Sequence, residues 1–585
     1  MSVPVPTQQR QPSNDGSVLP QPAKPSILFG PTDPPLVDLT LGELLNLQCL
    51  HHGTREGLVI PWTGARWTYN ELNHHSRLLA AALVEMGIGV GDRVGIMAGN
   101  CEQYAAVFFA AARIGAILVI LNNTYTPTEA QYGLDFSECK VFFTTKRIGR
   151  LDQGPLLTQL AARAKGPKVF ILRGNSEGYT TYTDLLSRGA RANPDRMHQA
   201  EVKVLPHMVC NLQFTSGTTG LPKAAMLTHH NIVNNSRFIG DRMRLTPDDV
   251  LCCPPPLFHC FGLVLGLMAV ITHGAKIVYP AEVFDALATL RCIIEEQCTA
   301  VHGVPAMFDS LFALPEAKDL RAANLRLRTG IIAGAPVPRY LMELLVSKLG
   351  MTEFTSSYGL TEASPTCFNA FTDDPIQTRL TTVGTLMPHA MAKIVDRDGQ
   401  IVPVGTRGEL CIGGYQLQAG YWNNSEKTNE VMIRDESGVL WLHTGDEAVF
   451  DENGYCSITG RFKDIIIRGG ENIYPLEIEE RLMAHPAISV AVVVGLKDAH
   501  YGEVVGAFLG LNNSHRQRPD AEEIREWVRK KLGKHKAPTH VFWLGQDGVP
   551  STVPLTGSGK VRKFEMAQVG NKLLEEARVK AKAKL

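Results

Sequence analysis

Neither sign of charge is in excess in this chain: 58 lysines and arginines stand against 58 aspartates and glutamates over 585 residues. That balance gives no electrostatic footing for nucleic acid or an anionic membrane, so neither is expected as a partner. Nor is there an apolar run long enough to cross a bilayer, which takes about 20 residues. The two longest runs cover 105–121, which Arg113 interrupts, and 260–272, which is too short. Both read as buried core, and no membrane span is expected. The twelve cysteines include no C-x-x-C pair and no Cys/His spacing suited to zinc. They predict free, buried thiols in a reducing compartment. A basic-then-apolar secretory start is missing, and internal repeats are missing too.

What is present begins with nine prolines in residues 1–36, set among Gln and Ser. That composition cannot bury a core and predicts a disordered leader. Arg10 and Lys24 are too few bases for a mitochondrial transit peptide. From residue 40, helical periods alternate with β-branched runs. A helix is predicted over 69–86, a strand over 92–98, a helix over 102–114 and a buried strand over 117–121. The alternation continues through "KIVYP" and "RTGIIAGA" to about residue 460. This is the pattern of an α/β fold with a largely parallel sheet. Beyond a polar, glycine-rich junction at 460–472 the texture becomes α+β: "PLEIEERLMAH", "SVAVVVGL", "EVVGAFLGL" and a helix over 521–532.

One stretch stands apart. "QFTSGTTGLPKAAMLTHHN" (213–231) sets a loop between strands predicted over 209–214 and 224–228. Gly217 and Gly220 permit positive φ, so that successive N–H groups turn toward one point. Thr215, Ser216, Thr218 and Thr219 add hydroxyls, and Lys223 adds a full charge. Together they form a nest for polyphosphate. It is not a Walker A loop: Pro222 replaces the second glycine and Ala224 the hydroxyl after the lysine.

"TSGTTGLPK" resembles the phosphate loop of the adenylate-forming superfamily, which takes in acyl-CoA synthetases, peptide-synthetase adenylation domains and firefly luciferase. The companion motifs follow in that family's order: "PLFHCFG" (256–262), "AGAP" (333–336), "YGLTE" (358–362), "TGD" (444–446), "GRFKDIIIRGGENIYP" (460–475) and "PLTGSGKVRK" (554–563). The resemblance implies an α/β protein with a large adenylate-forming N-terminal domain and a small mobile α+β C-terminal domain. The corresponding boundaries are a leader at 1–36, an AMP-binding domain at 37–460, a hinge at 461–470, a lid at 471–580 and a tail at 581–585.

It also implies roles residue by residue. ATP would meet Thr215, Ser216, Gly217, Thr218, Thr219, Gly220, Leu221, Pro222 and Lys223 in the loop. Gly334, Ala335 and Pro336 would wall the adenine, against which Tyr358 stacks within the segment Ser357, Tyr358, Gly359, Leu360, Thr361 and Glu362. Glu362, with Thr218, would ligate Mg²⁺, and Asp446 and Arg461 would hold the ribose. Lys560 would bridge carboxylate and α-phosphate, Lys463 would be the hinge, and His259 would gate the acyl pocket. Gly469, Gly470 and Glu471 would line the coenzyme A tunnel. The implied reaction joins a small-molecule carboxylic acid to CoA through an acyl-adenylate, releasing AMP and pyrophosphate. Medium-chain or branched, hydroxylated acids are expected, as in fungal secondary metabolism such as siderophore assembly. Alternatives are an adenylating enzyme feeding a carrier protein and a catalytically inactive nucleotide-binding homologue. The final Ala583, Lys584 and Leu585 are similar to the Ser-Lys-Leu address and imply a peroxisomal import receptor as partner, with the cytosol otherwise.

Overall fold

A computed structural model describes residues 24–582 apart from 175–176, 216–221, 318–319, 321–323, 334–336, 338, 513–514, 516 and 557–560. The expectations for Ser216, Gly217, Thr218, Thr219, Gly220, Leu221, Gly334, Ala335, Pro336, Lys560, Ala583, Lys584 and Leu585 therefore lie outside the described residues.

Two sheets carry most of the chain. In a seven-stranded sheet the β-branched runs Lys168–Ile171, Val141–Thr144, Arg93–Met97, Ile117–Ile120 and Val209–Thr215 lie side by side in that order. All four of these pairings are parallel. Only the last neighbour, Lys223–Thr228, runs antiparallel, because a hairpin connects it to Val209–Thr215. A nine-stranded sheet likewise has a parallel centre, from Glu353–Gly359 through Thr329–Ile332, Ala300–Val301, Val250–Cys252 and Lys276–Val278 to Glu56–Ile60. Strands buried on both faces need apolar runs rather than alternation, as Ile117–Ile120 shows by being buried throughout.

The helices follow from local chemistry. Helix Tyr69–Glu85 opens on a capping box, in which Thr68 N donates to Glu71 Oε2 at 2.7 Å and Glu71 N to Thr68 Oγ1 at 3.2 Å. Helix Glu102–Arg113 buries eleven of its twelve residues. Arg113 can sit there because its guanidinium donates to Ser76 Oγ (3.0 Å), Glu201 Oε1 (2.8 Å), Asn46 Oδ1 (3.1 Å) and Asn73 Oδ1. The run at 260–272 is core, as expected, but its opening turns, Phe261–Met268, wind as a π-helix. No helix among the described residues is long and apolar enough to cross a membrane. Eleven of the twelve cysteines are buried and none forms a disulfide.

A six-stranded antiparallel sheet follows, with Leu440–Phe450 flanked by Gly408–Gly414, Met432–Arg434 and Cys456–Arg461. Its edge overturns the later stretch of the leader expectation. Ile27–Phe29 pairs antiparallel with Ala390–Val395, Ile27 facing Lys393, and Ser26 is fully buried. Proline removes only an N–H. The carbonyls of Pro34 and Pro35 still accept, from His389 Nε2 (2.8 Å) and Arg237 Nη1 (2.7 Å). Residues 26–36 are thus built into the fold.

The five-stranded sheet of the C-terminal region holds Ile466–Arg468, Glu471–Ile473, Ile488–Asp498, Gly502–Leu511 and His540–Trp543. Cys456–Arg461 belongs to the six-stranded sheet and Ile466–Arg468 already to the five-stranded one, so the segment joining the two is 462–465, shorter than the expected 461–470. Helix Ala521–Arg529 buries Ile524 and Val528 and stops three residues before the expected end, with Gly533 following closely.

Candidate active site

The hairpin of Val209–Thr215 and Lys223–Thr228 closes with Thr215 opposite Lys223, so that loop 216–222 springs from a fixed pair. Segment 418–422 is stitched to the second strand: Ala419 N donates to Met226 O (2.9 Å), Met226 N to Gly420 O (3.0 Å) and Trp422 N to Ala224 O (2.8 Å). This places Tyr421 under the Lys223 ammonium, which lies 4.8 Å from the ring centre. The phenol of Tyr421 donates to Glu362 Oε1 at 2.8 Å. Burial first, then the Glu362 charge, pushes that phenol well above its ordinary pKa, so it stays a donor. The backbone N–H of Gln418 donates to Glu362 O at 2.8 Å. Gln418 Oε1 is buried with no hydrogen-bond partner. The Glu362 carboxylate, held by Tyr421 at one oxygen, is a hard oxygen donor of the kind that Mg²⁺ takes, so it fits the ion.

Strand Glu353–Gly359 delivers the second group. Gly359 has to be glycine: a Cβ there would lie 2.0 Å from Pro365 O. Its neighbour Tyr358 donates to Asp446 Oδ2 at 2.5 Å, and Arg461 Nε donates to Asp446 Oδ1 at 2.6 Å. Asp446 and Arg461 face each other across paired strands. The Asp446 side chain is 4% exposed and that of Arg461 53%. Burial, then Asp446, raises the Tyr358 phenol, while Asp446 raises the Arg461 guanidinium. Each Asp446 oxygen thus has one protein donor and keeps a second lone pair for a ligand hydroxyl. The turn beneath is held by Gly445 N to Glu409 Oε1 (3.1 Å) and Asp446 N to Thr444 Oγ1 (3.1 Å).

The other expected residues that the structure describes have the following contacts. Ser357 Oγ donates to Phe368 O at 3.3 Å and Leu360 N to Pro365 O at 2.9 Å, while Thr361 and Glu362 open a 3₁₀ turn. His259 Nδ1 accepts from Phe261 N–H at 3.1 Å. Next to it, Cys260 Sγ donates to Gln213 Oε1 at 2.9 Å on the strand that enters the loop. Lys463 sits in the 3₁₀ turn Phe462–Asp464. Lys427 first, then Lys223 and Lys463 more weakly, lower the Glu430 carboxyl, so both expected lysines act on one carboxylate. Gly469 and Gly470 have φ of 59° and 90° and join Ile466–Arg468 to Glu471–Ile473. A two-residue hairpin turn with positive φ at both positions, as here, favours glycine at each. Glu471 Oε2 lies 3.6 Å from His535 Nε2.

Sequence reading missed Gln418, Tyr421 and Tyr474. Tyr474 donates to Glu447 Oε1 at 2.8 Å beneath Arg407, 5.0 Å from its ring. It thereby docks the C-terminal region against the residue that follows Asp446. Gln418 and Tyr421 lie outside every quoted motif, while Tyr474 lies within the motif at 460–475, which by itself assigns it no partner.

A sequence profile described as AMP-binding enzyme matches residues 48–422, and one described as AMP-binding enzyme C-terminal domain matches 477–560. The chain belongs to the AMP-binding enzyme family. Within the family it is 75% identical over 559 residues to acyl-CoA ligase sidI of Beauveria bassiana (strain ARSEF 2860), covering 96% of this chain and 97% of that relative. It is 35% identical to the mitochondrial medium-chain acyl-CoA ligase ACSF2 of Danio rerio, over 94% of this chain and 91% of the relative. Among solved family structures, ATP-bound MatB from Rhodopseudomonas palustris superposes with a TM-score of 0.78 at 26% identity, covering 92% and 100% of the two chains. The anthranilate CoA ligase AuaEII, in complex with anthranoyl-AMP, shares the fold with a TM-score of 0.81 at 22% identity, covering 93% and 99%.

Proposed function

We propose that this chain is an ATP-dependent acyl-CoA ligase that joins a carboxylic acid to coenzyme A, with AMP and pyrophosphate as products. The observation that carries the reading is the pair of networks just described, Tyr358–Asp446–Arg461 and Lys223–Tyr421–Glu362, the second built on the loop-bearing hairpin itself. A carboxylate is a poor electrophile. Its oxygen attacks the α-phosphorus of ATP, the bond to the β-phosphate oxygen breaks, and pyrophosphate leaves with the charge. The CoA sulfur then attacks the acyl carbon and AMP departs.

Asp446 takes the ribose hydroxyls through its spare lone pairs, while Arg461 and Tyr358 fix its orientation. Lys223, with loop residues Thr215 to Pro222, cradles the phosphates. Lys560 meets the charge that grows on the α-phosphate. Mg²⁺, held by Glu362 and Thr218, would screen the phosphate oxygens from one another. Lys463 turns the C-terminal domain between the two half-reactions, bringing Gly469, Gly470 and Glu471 to the CoA arm.

The substrate we propose is a medium-chain or short branched acid, supported by the apolar flanks of His259 and by likeness to ligases named for medium chains. The site of action is the peroxisome, through Ala583, Lys584 and Leu585. Pyrophosphate release over a panel of carboxylic acids, with and without CoA, tests the reading. Faster release with palmitate than with hexanoate, octanoate or decanoate rejects the substrate class. Product that needs a carrier protein in place of CoA rejects the ligase itself.

A further inference from the structure

Three ligating side chains from separate segments meet on the first turn of helix His229–Arg242, and none belongs to the site above. Asp38 Oδ1 stands 3.6 Å from His207 Nε2 and 3.5 Å from His230 Nε2. The three ligand atoms all lie within 4.8 Å of one another, and the two imidazole rings are 4.5 Å apart, centre to centre. The two carboxylate–imidazole separations are too long for good hydrogen bonds. They match instead the spacing that one ion imposes between its ligands. Ligands at about 2.0–2.2 Å in tetrahedral geometry lie about 3.3–3.6 Å from each other.

Each residue is held by its own backbone contacts. Val37 N donates to Asn234 Oδ1 at 2.8 Å and Asn234 Nδ2 donates to Val37 O at 2.9 Å, fixing the chain just before Asp38. Leu41 N donates to His229 Nδ1 at 3.2 Å just after it. His230 N donates to Pro206 O (2.8 Å) and His229 N to Met208 O (3.3 Å), which brackets His207. The His230 side chain is 9% exposed, whereas those of His207 and Asp38 are 72% and 74% exposed. A buried imidazole with two exposed partners beside it presents a face open to solvent.

We infer that Asp38, His207 and His230 form a second metal site, for a borderline divalent ion of the Zn²⁺ type, with one coordination position left to water. Two imidazoles and one carboxylate suit zinc or cobalt, and they disfavour Mg²⁺, which takes oxygen. An ion there clamps segment 37–41 and turn 206–208 to the helix that follows strand Lys223–Thr228, and so to the exit of the phosphate loop. The other three-donor cluster among the described residues is Glu409, Cys411 and His443. It is a poorer host, because His443 Nδ1 already bonds Glu409 Oε2 at 2.9 Å and Lys393 sits opposite Cys411.

The test uses the full chain without a histidine tag, stripped with chelator and titrated with Co²⁺. One equivalent should bind with the visible absorption of a four-coordinate nitrogen–oxygen site, be displaced by Zn²⁺ and persist in millimolar Mg²⁺. His207→Ala and Asp38→Asn, both at exposed positions, should each weaken binding at least about tenfold while pyrophosphate release without added zinc is unchanged. Absence of stoichiometric binding overturns the proposal, as does binding that both variants retain in full. A sulfur-to-cobalt charge-transfer band lost in Cys411→Ser also overturns it, by moving the ion to the other cluster.

Discussion

Tyr421→Phe isolates one hydrogen bond. The phenol reaches Glu362 Oε1 at 2.8 Å, Tyr421 is 5% exposed, and its ring supports the Lys223 ammonium at 4.8 Å. Phenylalanine keeps the ring, the packing and the cation–π contact, and removes only the O–H. A hydrogen bond to a charged partner is worth about 1.5–3 kcal/mol net. Glu362 can recover some of this from water once the phenol is gone, so the lower half of the range applies. About 1.5–2 kcal/mol corresponds to roughly 10- to 30-fold in an equilibrium or rate constant. The loss should appear in single-turnover pyrophosphate release as a raised Mg²⁺ requirement, because the carboxylate proposed to hold the ion is then no longer fixed by the phenol. Thioester formation from supplied acyl-adenylate should change less than about twofold, and the melting temperature should move little. Equal losses in both half-reactions, or an unchanged Mg²⁺ midpoint, would refute the claim that Tyr421 acts through Glu362.

Lys560→Ala should slow adenylation by about 10²–10³, or about 2.7–4 kcal/mol, yet still turn supplied acyl-adenylate into thioester. Lys463→Pro should do the reverse in the same pair of assays, forming adenylate once and then stalling, because proline restricts the turn that joins the two sheets. Arg113→Met removes one partner of a buried ion pair and leaves Glu201, Asn46 and Asn73 short of a donor; a loss of about 3 kcal/mol is expected in denaturant unfolding of the N-terminal domain. Deleting Leu585 from a fluorescent fusion should turn punctate signal into diffuse signal, and unchanged puncta would mean that another address operates.

Much of the α/β frame was legible because parallel strands buried on both faces must be apolar runs. The predicted 117–121 and the observed Ile117–Ile120 differ by a single residue. Helix 69–86 was equally plain from its helical period, and Leu72, Leu79 and Leu83 are buried in the structure. Motif residues such as Tyr358, Asp446 and Arg461 could be named in advance, but the bonds among them could not, because each depends on register across strands far apart in sequence. The strand Ile27–Phe29 was illegible for the same reason: its partner lies at Ala390–Val395, and a proline-rich composition says nothing of an edge waiting elsewhere. Tyr421 and Gln418 are set by backbone bonds to Lys223–Thr228 and Glu362, which no local pattern announces.

That early strand has a practical consequence for anyone who trims the protein. A cut at residue 36, suggested by composition, would strip Ile27–Phe29 from Ala390–Val395 and unseat the contacts of Pro34 and Pro35. The exposed rim would carry a row of unanswered amides and carbonyls beside Met391 and Ile394, open to any strand from a neighbouring molecule. A shortened protein of this kind would be expected to precipitate or to associate through that rim. A cut before Lys24 leaves the rim closed, so the two truncations differ by little in length and by much in solubility.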